Sequence, residues 1–292
     1  MIEFLGDLMM RMTKMNTRNN ENIENKQYPL LLTGTIDSRS FDGDGIDLKK
    51  RLESYENSLE RYICETQFNP IVFVENSGYG FDATKFQNMS ERNNKQFEFI
   101  NGTVCKEEVK KHGKGYGDSL LIYEGLTKSK LLANVEFFYK ITGRIFLMNS
   151  DKIIKSCFEH RNEFISYDGM GWVITYIFKA NRLDYLKTMK NVFIQCDDRS
   201  RRDMEICFWL RLYDSDLDIG CFNTYPIISG NLGVTNTPYT KNSFDSFIRN
   251  LGIKMGIFTM KSKASRLFWK VYKIFTKRES YADITDLEKN ID

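Results

Sequence analysis

YPLLLTGTIDS, Tyr28 to Ser38, is an apolar run that ends in Gly, Thr and Asp. That composition belongs to a strand leading into a turning or functional loop. Working outward, GIDLKKRLESYENSLERYICE, Gly45 to Glu65, spaces Leu48, Leu52, Tyr55, Leu59, Tyr62 and Ile63 at helical intervals. NPIVFVENSGYG then supplies a second β-branched run entering Glu75-Asn76-Ser77-Gly78. Strand, helix, strand makes a βαβ opening whose second strand delivers polar groups at its carboxyl end, where parallel sheets seat ligands. The expected class is therefore α/β.

The rest of the chain fits that class. Asp82 to Glu98 is polar, irregular or briefly helical, and FEFING, Phe97 to Gly102, reads as a short strand. DSLLIYEGLTKSKLL predicts a helix of about four turns. EFFYKITGRIFLMNS, Glu136 to Ser150, predicts strands around a tight cationic turn at Thr142-Gly143-Arg144, or one bulged strand. GWVITYIFKA, Gly171 to Ala180, predicts a strand; RLDYLKTM and Arg201 to Asp216 predict helices. YPIISGNLGVTNTPYTKN is loop-like and sits where an active-site flap would be expected. The expected organisation is a leader over 1–27, one domain over 28–256 and a basic extension over 257–292.

Bulk composition narrows the function classes. In 292 residues, 41% are hydrophobic and 14% aromatic, enough for a substantial core. A formal charge of +3 does not advertise nucleic-acid binding, and no nucleic-acid partner is expected. Six dispersed cysteines without a CxxC pair, beside two histidines, argue against structural zinc. The opening MIEFLGDLMMRMTK carries acidic residues and no small-residue cleavage site, so reduced cytoplasmic thiols are expected. No run of 18 apolar residues occurs.

The most suggestive chemistry lies in GKGYGDSL, Gly113 to Leu120. It satisfies neither GxxxxGK[ST] nor GxGxxG between an early strand and a helix. Two readings stand: Gly115 and Gly117 bend the chain while Asp118 caps the helix, or the backbone of Gly113, Lys114, Gly115, Gly117 and Asp118 approaches a diphosphate or sugar. In KITGR, Arg144 offers a planar fork for phosphate oxygens and Lys140 a point charge, unless Arg144 pairs with a scaffold carboxylate. Glu75 closes an apolar strand, a place for an acceptor to a ligand hydroxyl or base. Asp42, Asp44 and Asp47 lack a calcium-loop pattern and read as a solvated loop. Asp197, Asp198, Asp203 and Glu205 stand among arginines at a helix start whose apolar side is Ile206, Trp209, Leu210 and Tyr213.

Together LLTGTID, RLESYENSLERYI, IVFVENSG, HGKGYGDSLLIYEGL and FFYKITGRIFLMN resemble a divergent group of bacterial GT-A-like glycosyltransferases of surface-polysaccharide, capsule or lipopolysaccharide synthesis. The likeness covers Leu31 to Asn149 and, loosely, Lys179 to Tyr213. It implies a Rossmann-type nucleotide-sugar-binding domain with a mixed central sheet. Where such enzymes carry the metal-binding Asp-x-Asp, this chain has Thr142-Gly143-Arg144. The resemblance therefore puts Lys140 and Arg144, with no divalent metal required, near the donor phosphates. It implies Thr33, Gly34, Thr35, Asp37, Glu75, Asn76 and Ser77 around the nucleoside. Glu205 takes the position of the acceptor-activating base, with Asp203 or Asp198 replacing a missing partner aspartate and Arg211 downstream. The donor is expected to be a nucleotide-sugar and the acceptor a glycan or lipid-linked sugar. A non-catalytic sugar-binding subunit and a nucleotidyltransferase are the alternatives.

KSKASRLFWKVYKIFTKR, Lys261 to Arg278, sets Leu267, Phe268, Val271, Ile274 and Phe275 on one helical face with lysines and Arg266 around them. Such a helix suits an anionic bilayer surface at the inner face of the plasma membrane, or packs on its own domain.

Overall fold

The computed structural model describes residues 27–39, 47–157, 160–230 and 243–276. The expected leader, apart from its last residue, lies outside these, as do Asp42, Asp44, most of the expected flap and the end of the basic extension.

Strand β1 (Leu30–Gly34) is followed by α1 (Leu48–Glu65), β2 (Ile71–Glu75), α2 (Thr84–Arg92) and β3 (Phe97–Asn101). Then come α3 (Lys106–His112), α4 (Lys114–Lys128), β4 (Phe137–Thr142), β5 (Phe146–Leu147) and α5 (Ser150–Ser156). The second half runs β6 (Asn162–Glu163), β7 (Ser166–Tyr167), β8 (Trp172–Val173), β9 (Ile177–Asn181), α6 (Arg182–Thr188), α7 (Val192–Gln195) and α8 (Met204–Tyr213). It closes with β10 (Ile219–Gly220), β11 (Ile228–Ser229), α9 (Ser243–Lys254) and α10 (Lys263–Thr276).

Seven strands form one mixed sheet in the order β10-β6-β9-β4-β1-β2-β3. The β4-β1-β2-β3 half is parallel, and β9 runs antiparallel to β4 and β6. This is the expected mixed α/β class. Alternation along β1 and β2 makes both faces core. Leu30, Leu32, Ile71 and Phe73 pack with Tyr55, Leu59, Tyr62 and Ile63 of α1. Leu31, Val72 and Val74 pack on the opposite face with Leu121, Ile122 and Leu126 of α4. Asp47, expected in a solvated loop, instead caps α1, accepting from the Lys49 and Lys50 amides.

Two expected elements need correction. The helix expected from Asp118 begins at Lys114, so the glycine stretch is itself the first turn and Asp118 lies inside the helix. The strand expected over Gly171 to Ala180 is broken into β8 and β9, and the Thr175 carbonyl between them accepts from Lys140. The strands expected on either side of the turn in EFFYKITGRIFLMNS are β4 and β5; the Ile145 amide donates to the Thr142 carbonyl across the turn, and β5 pairs with β11 rather than within the main sheet.

All six cysteines are free thiols. Among the described residues no helix is long and apolar enough to cross a membrane. Helix α10 is no detached arm. Trp269 is buried against Tyr167 and Phe258, its indole N–H donates to the Ile257 carbonyl at 2.9 Å, and Arg266 pairs with buried Asp168 at 3.1 Å. Trp269→Ala should therefore destabilise the domain by about 3 kcal/mol, read from chemical unfolding. Ile274→Ala, on the exposed side of the same helix, should change stability by less than about 0.5 kcal/mol.

Candidate functional site

The carboxyl ends of β1, β2 and β4 meet beside the start of α4. The Thr35 hydroxyl donates to the Asn76 side chain at 2.7 Å, and the Thr35 carbonyl accepts from the Arg51 guanidinium. Glu75 is buried, and one carboxylate oxygen accepts from the Ile36 and Ser77 amides, each at 2.8 Å. It thus staples the loops after β1 and β2 to each other. An added Cβ on Gly117 would stand 3.5 Å from the Asn76 amide nitrogen, which places the first turn of α4 over these loops. Ser77 is buried, and its hydroxyl has no partner among the described residues.

On the other side of β1, the Gly143 amide donates to the Thr33 carbonyl at 2.7 Å, and the Gly143 carbonyl accepts from the Ser58 hydroxyl. That bond holds the Thr142-Gly143-Arg144 turn against the strand end. Arg144 is half-buried near Asp118. Burial pushes the Asp118 carboxyl up, but Lys140, the Thr33 hydroxyl and Arg144 outweigh it and hold the group below its usual range. Thr35, Glu75, Asn76, Ser77, Asp118, Thr142, Gly143 and Arg144 are thus brought to one end of the sheet.

Several of the expected site residues are also engaged within the domain. Lys140 is fully buried, and its ammonium donates to Asp118 at 2.9 Å, the Thr175 carbonyl at 3.0 Å and the Thr142 hydroxyl at 3.4 Å. Its charge is committed inside the domain, and reaching a phosphate would break that ion pair. Gly34 serves packing, since a Cβ there would come within 2.6 Å of the Tyr55 ring. Asp37 is held by a two-pronged pair with Arg39, which lowers its carboxyl.

The glycine turn is also already occupied. Asp198, expected among the catalytic carboxylates, accepts from the Lys114 amide at 2.7 Å and the Gly115 amide at 3.4 Å. It caps α4 from across the chain, and Asp118 therefore has no capping role. Gly113 has φ +95°, where L side chains are strained, and a Cβ there would collide with the Asp198 carboxylate. The backbone amides expected to face an anion thus face the protein's own.

Asp203 and Glu205 sit elsewhere, on the wall of a cavity of about 790 Å³ also lined by Tyr167, Trp172, Arg249, Phe258 and Trp269. Asp203 caps α8 through the Ile206 amide at 3.0 Å. Glu205 accepts from the Thr175 hydroxyl at 2.7 Å. Burial first, and then the Asp203 charge, push its carboxyl up to about 7 against the pull of that bond. Arg211 bonds Gln195 rather than the cavity.

Thr175 joins the two regions, its carbonyl on Lys140 and its hydroxyl on Glu205. It is the principal residue missed by sequence reasoning; a polar residue inside the apolar run WVITYIF was the available signal. The aromatic cavity wall was also missed, because its residues come from four separate stretches. Among the described residues no three His, Cys, Asp or Glu side chains converge as a metal-binding set.

No protein-family model and no curated protein matches the sequence. Several solved structures are similar to it at low identity. A putative nucleotide-diphospho-sugar transferase from Desulfovibrio desulfuricans G20 is 9% identical, with 66% of this chain and 78% of that one covered and a TM-score of 0.43. The galactosyltransferase LgtC is 10% identical over 67% and 73%, at 0.40. A 4-diphosphocytidyl-2C-methyl-D-erythritol synthase from Anaerococcus prevotii DSM 20548 is 12% identical over 80% and 98%, at 0.39. Likenesses this remote fix neither chemistry nor substrate for this chain.

Replacing Asp198 by Ala should cost about 1 to 2 kcal/mol by uncapping α4. Gly113→Ala should cost at least about 1 kcal/mol, through its backbone strain and the collision with the same carboxylate. Denaturant titration checks both, and the double variant should cost less than the sum of the two, because the collision disappears with the Asp198 carboxylate.

Proposed function

We propose that the chain is a glycosyltransferase that moves a sugar from a nucleotide-sugar donor to an acceptor hydroxyl. The carrying observation is Glu205, whose carboxyl burial pushes up to about 7, on the wall of a cavity of about 790 Å³ and tied through Thr175 to Lys140. A carboxylate poised at that value suits proton transfer at neutral pH.

In this reading the donor lies at the ends of β1, β2 and β4. Asn76 and the Ser77 hydroxyl meet the nucleoside, and Arg144 meets the diphosphate. The acceptor occupies the aromatic-lined cavity. Its hydroxyl oxygen attacks the anomeric carbon while the bond to the diphosphate breaks and that electron pair leaves with the nucleotide. Glu205 takes the hydroxyl proton. Arg144 stabilises the growing negative charge on the leaving group. The acceptor is proposed to be a glycan or lipid-linked sugar of surface-polysaccharide assembly. No metal is invoked, since the turn after β4 carries Arg144.

One observation favours a second reading, a non-catalytic nucleotide-sugar or carbohydrate-binding subunit. Asp118 and Asp198 already take up Lys140 and the α4 start, so these two groups are committed within the domain rather than to a diphosphate.

The test is binding and turnover of UDP-, GDP-, CDP- and CMP-sugars, with and without EDTA. Arg144→Ala should weaken donor binding about tenfold or more while the melting temperature stays near wild type. Glu205→Gln should keep donor binding and lose turnover by at least about a hundredfold. A folded protein that binds no donor would sink the proposal, and binding without turnover would favour the second reading.

The pH dependence has a definite sign. Turnover should rise as pH rises through about 7, as Glu205 loses its proton. Stability should move the other way. Glu205 holds its proton more tightly folded than unfolded, so stability falls as pH rises from its ordinary 4.5 towards about 7. Glu205→Gln should remove that part of the pH profile, read from unfolding curves at pH 5 and pH 8.

A further inference from the structure

Helices α9 and α10 leave an apolar surface outward. On α10, Leu267 is 67% exposed, Ile274 74% and Phe275 83%, with Phe268 and Val271 exposed beside them. On α9, Phe247, Ile248 and Leu251 are exposed, as is Met255 just after it. Isolated exposed apolar residues are ordinary, but nine large ones on two helices and the turn after the first are not.

Two further observations say what covers this face. The first is charge. Helix α10, KASRLFWKVYKIFT, contains no acidic residue, and Lys263, Leu267, Lys270 and Ile274 alternate at helical spacing along its exposed side. The exposed Lys254 adds charge at the end of α9. The second is continuity. Ile248, Leu251, Met255 and Phe268 are exposed and also line the cavity that holds Glu205. The apolar face thus runs into the cavity mouth.

The geometry points to docking on a bilayer rich in anionic phospholipid, with α9 and α10 lying in its interface and the cavity mouth opening toward the lipid. Exposed apolar side chains enter the headgroup boundary while lysines meet anionic headgroups. The buried side of α10, anchored by Trp269 and the Arg266–Asp168 pair, fixes the orientation of the domain on that surface. An amphiphilic acceptor held in the same bilayer would meet Glu205 without leaving it. Docking itself does not depend on the transferase reading, because it is measured without turnover.

The full chain would be sedimented with vesicles of phosphatidylglycerol and phosphatidylcholine, and with phosphatidylcholine alone. Binding should require the anionic lipid and weaken with salt. Ile274→Asp with Phe275→Asp should reduce it about a hundredfold, and Lys263→Glu with Lys270→Glu at least about tenfold. All four positions are exposed, so near-ultraviolet circular dichroism should be unchanged; if the aspartate pair misfolds, the glutamate pair carries the test. The chain has three tryptophans, of which Trp172 and Trp269 line the cavity. Brominated-acyl phosphatidylglycerol should therefore quench their fluorescence on docking. Absence of binding to anionic vesicles, or binding untouched by both pairs, overturns the inference. Binding without quenching overturns the orientation. A dimer that the aspartate pair dissolves, without vesicle binding, assigns the face to a second copy of the chain instead.

Discussion

A fully buried ammonium must find acceptors or give up its charge. Lys140 finds three, and each belongs to a different part of the domain: Asp118 on α4, Thr142 at the end of β4, and the Thr175 carbonyl in the break between β8 and β9. The helix above the sheet, the central strand and the antiparallel half are therefore fixed to a common point. Thr175 lies in the break between the two strands, and there its carbonyl meets Lys140 while its hydroxyl donates to Glu205. Removing the Asp118 carboxylate would leave the Lys140 ammonium fully buried without its counter-charge, so the pair works as a structural fastener beneath the site.

The early fold was readable because its signals are local. Alternation in LLLTG and IVFVE and the 3.6-residue spacing from Leu48 to Ile63 are set by neighbours a few positions apart. The β1-α1-β2 opening followed from them. The second half was harder, since β6, β7, β8, β10 and β11 are two residues each and carry no period to read. Helix α3 was missed because KEEVKKH is too short and charged to show an apolar face.

The candidate site divides in the same way. Polar residues expected at the strand ends, such as Thr35, Glu75 and Asn76, lie together there, whereas the raised Glu205 carboxyl depends on burial that no sequence pattern shows. What no local pattern reveals is which polar groups are already spent. Lys140 looked like a phosphate ligand because its partners lie 22 and 35 residues away. The glycine turn looked open because its anion lies 84 residues downstream. Burial converts apparent ligands into scaffold, and burial is a property of the assembled domain.

That 84-residue separation also orders events during synthesis. Chain that has emerged only as far as Gln195 contains α4 complete but not the carboxylate that caps it. The helix start stays open until the segment before α8 has been made and the antiparallel half has folded back onto the sheet. Closure of this long loop is entropically slow compared with forming the helix itself. The parallel core can assemble while translation continues, whereas the region around Gly113 waits for the second half of the polypeptide.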